Sequence, residues 1–528
     1  MRDTGENLIG PPLGNPTSTH MSQSDLHFQL LLPTSAEQLI ARPVGKLTPV
    51  PGDETEALPF IALDCFDQSL RRSGHLLLEA GRDFELLRDG KPLITLPATG
   101  KPRFITEFSE SALKQALSGL SPLRKLLPAG SGTRAVTPLI FVDDEGKTHC
   151  RARLLRFETD EGRSLHLVEL QGIRGYSKSL KLLQMHIQRL GGTPVRCSAL
   201  YSQLFPTRVS DDAKPDILIS SSETAFDAAT KIIASCLPVL RANEAGIIAD
   251  HDTEFLHDYR IQLRKIRSVL SLFKGVYDAA QTAELKARFS ALAAPTGRLR
   301  DLDVYLLEKD TYSHLLPESL QDGLDSLFEI FSEQRAAEHA KLSKHLRSTA
   351  YKREIARLAK LFKRPKELRP GVHAGLAAHE YACERIWQHY RKVRKAAMAI
   401  GPDTPDADIH ELRIRCKKLR YLIEFFSPVF PGPALSKVLK PLKRLQEHLG
   451  LFNDYSVQQE ALQAFLAPDK GRNDAGMAVA QSVGALIAVL HGRQLEERDS
   501  VLMSLGRFNR PGTQQAFSDL FQNQEDDT

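Results

Sequence analysis

Apolar and polar positions follow two rhythms along this chain, and the rhythm changes near residue 205. Over 26–188 the apolar residues come in short runs bounded by turn residues, as in Leu93-Ile94-Thr95-Leu96, Leu139-Ile140-Phe141-Val142 ahead of Asp143-Asp144-Glu145-Gly146, and 165–170. Helical spacing in this half is confined to 110–117 and 180–190. Such a pattern predicts an α+β domain on an antiparallel sheet, assigned to 25–205. Pro206, Ser210, Asp211, Asp212 and Pro215 then interrupt every period, so 206–221 reads as a linker. From 223 to about 505 strand signals stop, and segments of helical period follow one another between Pro295, Pro317, Pro365, Pro370, Pro402, Pro405 and Pro468. An all-α domain is predicted over 222–510. The ends, 1–24 and 511–528, read as disordered tails.

The helical half repeats itself. The run from His257 to Arg267, HDYRIQLRKIR, aligns with the run from His410 to Arg420, HELRIRCKKLR, at an offset of 153 residues. The same offset pairs Phe273 with Phe426, Leu292 with Leu445, Gly297 with Gly450, Asp301 with Asp454 and Val304 with Val457, without a gap. One match is cheap, but a constant register over some fifty residues is not, so the domain is read as two pseudo-symmetric helical bundles.

At 100° per residue, His257, Arg260, Arg264 and Arg267 fall within an arc of about 80° and form one cationic stripe. Tyr259, Leu263, Ile266, Leu270 and Phe273 lie on the opposite arc and supply a face to bury. The second copy sets His410, Arg413, Lys417 and Arg420 against Leu412, Cys416, Leu419, Ile423 and Phe426. The windows 257–304 and 410–457 each hold nine Lys and Arg, against five and four Asp and Glu, a surplus of +9. The whole chain is only +5, so its remainder is net −4. A solvated helix ordinarily interleaves acids at i+4 to relieve such repulsion, and the stripes read as lacking them. The absent partner is then an external polyanion, whose phosphate oxygens stacked Arg and Lys contact by charge-assisted bonds. A merely solvated face is the ordinary alternative for one basic helix; repetition in register weighs against it. His257 and His410 head the stripes as phosphate contacts or as helix-start residues. Asp301 and Asp454 either orient neighbouring cations such as Arg298 or cap a helix, and Gly297 and Gly450 permit a turn or a close helix approach.

Composition narrows the classes left. With 528 residues, 42 % hydrophobic and 26 % charged, the chain has the make-up of a folded two- or three-domain protein. The most apolar stretch, 477–490, is interrupted by Gln481 and Ser482 and falls short of the roughly 18 residues a membrane span needs. The first twenty residues hold no apolar run of signal-peptide type, so a cytoplasmic protein is expected. Six single cysteines predict neither disulfides nor a zinc knuckle. There is no GxxxxGK[ST], GxGxxG or GxSxG, and His379-Glu380 lacks the second histidine of a zincin helix.

These residues resemble the CHAD family, the conserved histidine α-helical domain. His410 through Tyr421 matches that family's later H-x-L-R-I-R-x-K-K-L-R-Y helix, the run from His257 its HxxRxxxRRxR helix with Lys265 as a conservative change, and Arg300-Asp301-Leu302-Asp303 and Phe452-Asn453-Asp454 its following signatures. The resemblance covers about 223–505. It implies two helical bundles enclosing a basic surface that binds inorganic polyphosphate, with association with polyphosphate granules. The implied binding residues are His257, Arg260, Arg264, Lys265, Arg267 and Arg300 in the first copy. In the second they are His410, Arg413, Lys417, Lys418, Arg420, Tyr421 and Lys443. No catalytic residue, metal or cofactor is implied. Nucleic acid is a less favoured partner, because aromatic residues are only 7 % and Tyr421 alone adjoins a stripe.

The first half resembles a degenerate CYTH domain, the triphosphate tunnel fold, in 70–75, 84–90 and Val168-Glu169-Leu170. That family opens on an E-x-E-x-K strand whose acids hold metal. Here the matching run is His27-Phe28-Gln29-Leu30-Leu31, Glu79 stands where a tunnel arginine is expected, and Pro97 where a lysine is. The expectation is therefore a protein that is not an enzyme, with a CYTH-type triphosphatase or polyphosphatase as the alternative.

Overall fold

The computed structural model describes residues 26–30, 33–98, 100–206, 217–466 and 476–522. The tail assigned to 1–24, most of the assigned linker and Pro468 lie outside these residues. The chain divides into two compact units, Met1–Asp212 and Ala213–Thr528.

In the first unit, ten strands form one antiparallel sheet: β1 (His27–Leu30), β2 (Thr48–Pro51), β3 (Leu58–Asp64), β4 (His75–Ala80), β5 (Asp83–Arg88), β6 (Lys91–Pro97), β7 (Leu127–Val142), β8 (Thr148–Thr159), β9 (Ser164–Gly172) and β10 (Thr193–Pro194). Their order is β10-β1-β9-β8-β7-β3-β4-β5-β6, with β2 added to β7. The turn predicted at 143–146 is the tip of the long β7–β8 hairpin: the Asp143 carboxylate accepts from the backbone of Glu145 and Lys147, and Gly146 takes φ +77°. Short helices α1 (Pro33–Ala41), α2 (Ser69–Arg72), α3 (Ala112–Ala116), α4 (Ser177–Arg189) and α5 (Cys197–Leu204) complete the unit. Leu39, Leu183 and Ile187 join Phe28, Phe141 and Leu170 in one core, whereas Leu200, Tyr201 and Phe205 join Phe60, Leu78 and Phe157 in another.

The sheet curls, as a CYTH-like fold requires. Near one end, the Leu93 amide of β6 donates to Glu169 Oε1 on β9 at 3.1 Å, close to the other end. Inside the curl, Arg134 is ion-paired with buried Glu85, and Arg153 lies 3.8 Å from Glu85 and 3.7 Å from Glu169. The interior acids are thus matched by interior arginines. A cavity of about 150 Å³ borders Thr95, Arg151, Arg153 and Glu169. Glu79, outside this cluster, pairs with Arg103 at 2.8 Å.

The second unit is helical and its elements obey the repeat. Helices α6 (Ala225–Ile248), α7 (Thr253–Leu272), α8 (Ala279–Ala293), α9 (Gly297–Leu307), α10 (Lys309–Ser313), α11 (Gln321–Arg347) and α12 (Thr349–Lys363) form the first copy. The second holds α13 (Ala378–Ala399), α14 (Asp406–Phe425), α15 (Gly432–Leu466), α16 (Gly476–Phe508) and α17 (Pro511–Phe521). The starts of α13, α14 and α15 lie 153 residues after those of α6, α7 and α8. Equivalent residues meet on the pseudo-two-fold axis: Thr224 bridges Ala377, and the rings of Phe273 and Phe426 stack at 4.8 Å with an 18° interplanar angle.

One break in the symmetry has a local cause. Between α8 and α9, Pro295 lacks the amide that a continuous helix needs, and the chain makes a short 3₁₀ turn over Ala294–Thr296. The equivalent residue in the second copy is His448, which donates no such break, and α15 runs unbroken for 35 residues.

Two boundaries differ from the sequence reading. Residues 511–521 form α17 rather than a tail, because Phe517 and Phe521 are buried and the Phe517 ring stacks on Tyr390 at 3.9 Å. α17 does for α13 what α12 does for α6. At the other edge, Ile219 is buried and Ser221 accepts from the His379 amide, so the end of the assigned linker already belongs to the bundle. Replacing Phe517 by Ala is expected to lower the stability of this unit by about 3–5 kcal/mol in urea unfolding followed by circular dichroism, whereas a tail residue would cost nothing.

Candidate functional site

α7 begins where Asp252 caps it, its carboxylate accepting from the amides of Glu254 at 2.9 Å and Phe255 at 3.2 Å. Tyr259, Leu263, Ile266 and Leu270 are buried, which turns Arg264 and Arg267 to solvent and leaves His257 and Arg260 half-buried. α14 is oriented the same way: Leu412, Cys416, Leu419 and Ile423 are buried, and Arg413, Lys417 and Arg420 are half-buried. The helical period alone fixes which side chains face outward.

The two stripes face each other. Burial is the main cause pushing the Lys417 ammonium from 10.5 down to about 8, followed by the charges of Arg413 and of Arg264, which belongs to the other copy. Arg264 likewise lowers Arg413, again after burial. Arg260 is also lowered, by burial first and then by Arg264, Arg300 and Arg267, with Asp301 opposing. Cations from both copies therefore share one electrostatic neighbourhood.

Acids are present but sparse. Arg413 meets Asp454 at 3.5 Å, and the equivalent Asp301 lies in the field of Arg260, Arg298 and Arg300. Neither aspartate caps a helix: Asp454 pairs with a stripe cation, and Asp301 sits among cations inside α9. Arg420 does have an acid at i+4, Glu424 at 3.4 Å, which corrects the reading that the stripes lack them. Such partly exposed pairs are worth about 0.3–0.5 kcal/mol and leave most of the repulsion in place.

Neutral groups fix the ends of the stripes. Arg260 donates to Thr296 Oγ1 at 2.6 Å, and Thr296 is itself buried and donates to the Ala293 carbonyl. His410 Nδ1 meets Asn453 Oδ1 at 2.5 Å, which requires the proton on Nδ1 and leaves Nε2 as the other ring position. Arg300 stands where the second copy has Asn453 and donates to the Thr253 carbonyl at 3.5 Å, at the start of α7. Tyr421 lies under the Arg420 guanidinium, 5.8 Å from ring centroid to Cζ. Lys443 is half-exposed on α15.

Lys265 and Lys418 stand apart from the other candidates. One turn angle off the stripes, Lys265 acts on Cys236 of α6 and Lys418 on His389 of α13. They face the preceding helix of their own copy. Of the roles expected for Gly297 and Gly450, close helix approach fails, since a Cβ at either would meet open space; Gly297 follows the 3₁₀ turn and Gly450 lies inside α15.

Residues 231–463 match the family model of the CHAD domain. The helical unit contains a CHAD domain. The match runs from within α6 to near the end of α15. No curated protein matches the chain. Among solved structures, the crystal structure of the CHAD domain from the plant Ricinus communis is 25 % identical with a TM-score of 0.47, over 56 % of this chain and 97 % of that one. PptA from Streptomyces chartreusis is 17 % identical with a TM-score of 0.40, over 56 % of this chain and 100 % of that one.

Sequence reasoning missed two supports of this CHAD domain, Thr296 and the pairing of Asn453 with His410. Both come from distant turns that no periodicity connects. It also missed Arg391, Lys392, Arg394 and Lys395 of α13, whose signal was legible as four cations with no acid three or four positions away.

The depressed Lys417 predicts a sign. Its folded value, about 8, lies below the unfolded 10.5, so between these values the unfolded chain binds more protons and unfolding free energy rises with pH. Below pH 8 the penalty is fully present. Lys417→Met is therefore expected to stabilise the ligand-free protein at pH 7 by roughly 1 kcal/mol after solvent screening, with the gain shrinking towards pH 10. Urea titrations of both proteins at the two pH values check it.

Proposed function

We propose that this protein binds inorganic polyphosphate, without catalysis, on the surface shared by the stripes of α7 and α14. The observation that carries this reading is that α7 and α14 meet through Phe273 and Phe426, which leaves Arg264 of one copy near enough to act on Lys417 and Arg413 of the other. Like charges held together by a fold are stabilised by a multivalent anion, and a linear chain of phosphates supplies several charges along one line. At 1.5 Å rise, the span from His257 to Arg267 offers roughly 15 Å of such contact. The CHAD match supports the choice of polyphosphate.

Two further observations fit. Tyr421, the aromatic residue adjoining a stripe, already packs on Arg420 and lies 6.1 Å from Phe425, so an unpaired base finds little of it to stack on. In the first unit, Glu85 and Glu169 are engaged with Arg134 and Arg153, which suits a non-catalytic accessory domain better than a metal-dependent hydrolase. Among the described residues no helix is long and apolar enough to cross a membrane. Association with polyphosphate granules follows from the same proposal.

Arg260→Glu with Arg413→Glu is expected to abolish polyphosphate binding while leaving the helical circular dichroism unchanged. In the unmodified protein, log affinity should fall with log salt by roughly 0.7 for each phosphate neutralised. Retained affinity in the folded double variant, measured by titration calorimetry, defeats the site assignment. A second outcome concerns pH. Because Lys417 loses its proton near pH 8, affinity should weaken as pH rises through that value, and Lys417→Arg should flatten the dependence.

A further inference from the structure

The two copies differ most sharply on the helix that precedes each stripe. At the offset of 153, Arg391, Lys392, Arg394 and Lys395 of α13 stand opposite Pro238, Val239, Arg241 and Ala242 of α6. Three of the four cations therefore exist in the second copy only. All four are exposed, and none is ion-paired with a described residue. They border a surface cavity of about 650 Å³ together with Gln388 and Met398. The acid nearest to them along the helix, Glu384, is held by Gln388, whose Nε2 donates to it at 2.7 Å.

The helix that carries this patch packs against α14, the helix of the second stripe. His389 on α13 is lowered first by burial and then by Arg385 and Lys392 of its own helix and by Lys418 of α14, so Lys392 and Lys418 converge on one imidazole from two helices. Lys418 sits about 100° around α14 from Lys417, on the side towards α13, and Lys417 in turn feels Arg264. A run of cations thus leads from Arg264 through Lys417 and Lys418 to Lys392 and on to Arg391 and Lys395. Asp454, the acid that acts on Lys417, meets Arg413 at 3.5 Å, and Glu424 meets Arg420 at 3.4 Å. In the first copy the corresponding path ends at Lys265, beside Cys236, with Pro238, Val239 and Ala242 beyond it.

We propose that a long polyphosphate chain seated between the stripes leaves them across Lys418 and continues along α13, in that direction only. The proposal rests on the polyphosphate reading above and adds a single exit side and a chain-length preference to it. Tripolyphosphate is short enough to lie wholly between the stripes and gains nothing from α13. A chain of many phosphates gains every contact along the track, and counterions released from it make that gain salt-dependent.

The test compares tripolyphosphate with long-chain polyphosphate on the full chain carrying Lys392→Glu and Lys395→Glu. Losing two phosphate contacts and adding two acids should weaken long-chain binding by more than about twentyfold near 0.1 M salt and flatten its salt slope by more than about 1.4, with tripolyphosphate affinity unchanged. Lys392→Gln with Lys395→Gln should move both quantities in the same direction by less, and guards against a charge reversal that unfolds the helix. Trp387, the single tryptophan, lies one turn before Arg391 and gives an independent readout. Long-chain polyphosphate should protect it from iodide quenching, and tripolyphosphate should not. Equal loss for both ligands, or undiminished long-chain affinity in the variants while Arg260→Glu with Arg413→Glu abolishes it, overturns the track and leaves the stripes standing. Binding that survives Arg260→Glu with Arg413→Glu overturns the stripes instead.

Discussion

A duplicated helix with one charged face has to put like charges together when its copies pack around a two-fold axis, and this constraint shapes the second unit. The apolar faces of α7 and α14 bring Phe273 onto Phe426, and the same packing sets Arg264 against Lys417. Burying the ring pair contributes a few kcal/mol through area, plus about 0.5–1.5 kcal/mol from ring geometry. Each close cation pair costs about 1 kcal/mol in water and more near a protein surface. The apolar gain holds the arrangement, and the electrostatic cost stays on the surface where an anion can remove it. Lys417, pushed down to about 8, is where that cost is concentrated.

The two units handle buried charge in opposite ways. Inside the curled sheet, Arg134 and Arg153 have Glu85 and Glu169 beside them, so the interior closes its own account of charge. Between the stripes, Asp454 is well exposed and 3.5 Å from Arg413, and the cations outnumber the acids. A polar interior completed by its own chain has little affinity left for a ligand, whereas an incomplete one retains it. That contrast, more than the loss of the E-x-E-x-K strand, separates the roles proposed for the two halves.

Much of this was legible because repetition converts a weak pattern into a strong one. The offset between His257 and His410 marked the stripes, and helical period then fixed which faces Tyr259 and Cys416 would bury. What stayed hidden lacked either period or repetition. α17 escaped because its apolar residues, Phe517 and Phe521, form too short a run, and only Tyr390 on a distant helix explains their burial. Lys265 and Lys418 entered the binding set through the family resemblance, although one residue along a helix is 100° around it and neither lies on a stripe. The glycines at 297 and 450 matched each other, yet nothing in the structure explains why either is glycine.

Departures from the repeat carry information of their own. Where both copies keep a residue type, as at Arg260 and Arg413, the pseudo-symmetric surface accounts for it; where only one copy has it, symmetry cannot. Pro295 opposite His448 changes the backbone, breaking one helix and leaving its counterpart whole. His389 opposite Cys236 changes the chemistry beside an otherwise equivalent lysine, placing an imidazole where the first copy buries a thiol. Inorganic polyphosphate reads the same from either end, so a symmetric receptor would let a long chain leave on either side equally. Cations confined to α13 remove that degeneracy, and they do so outside the stripes, where the shared packing of α7 and α14 is left undisturbed.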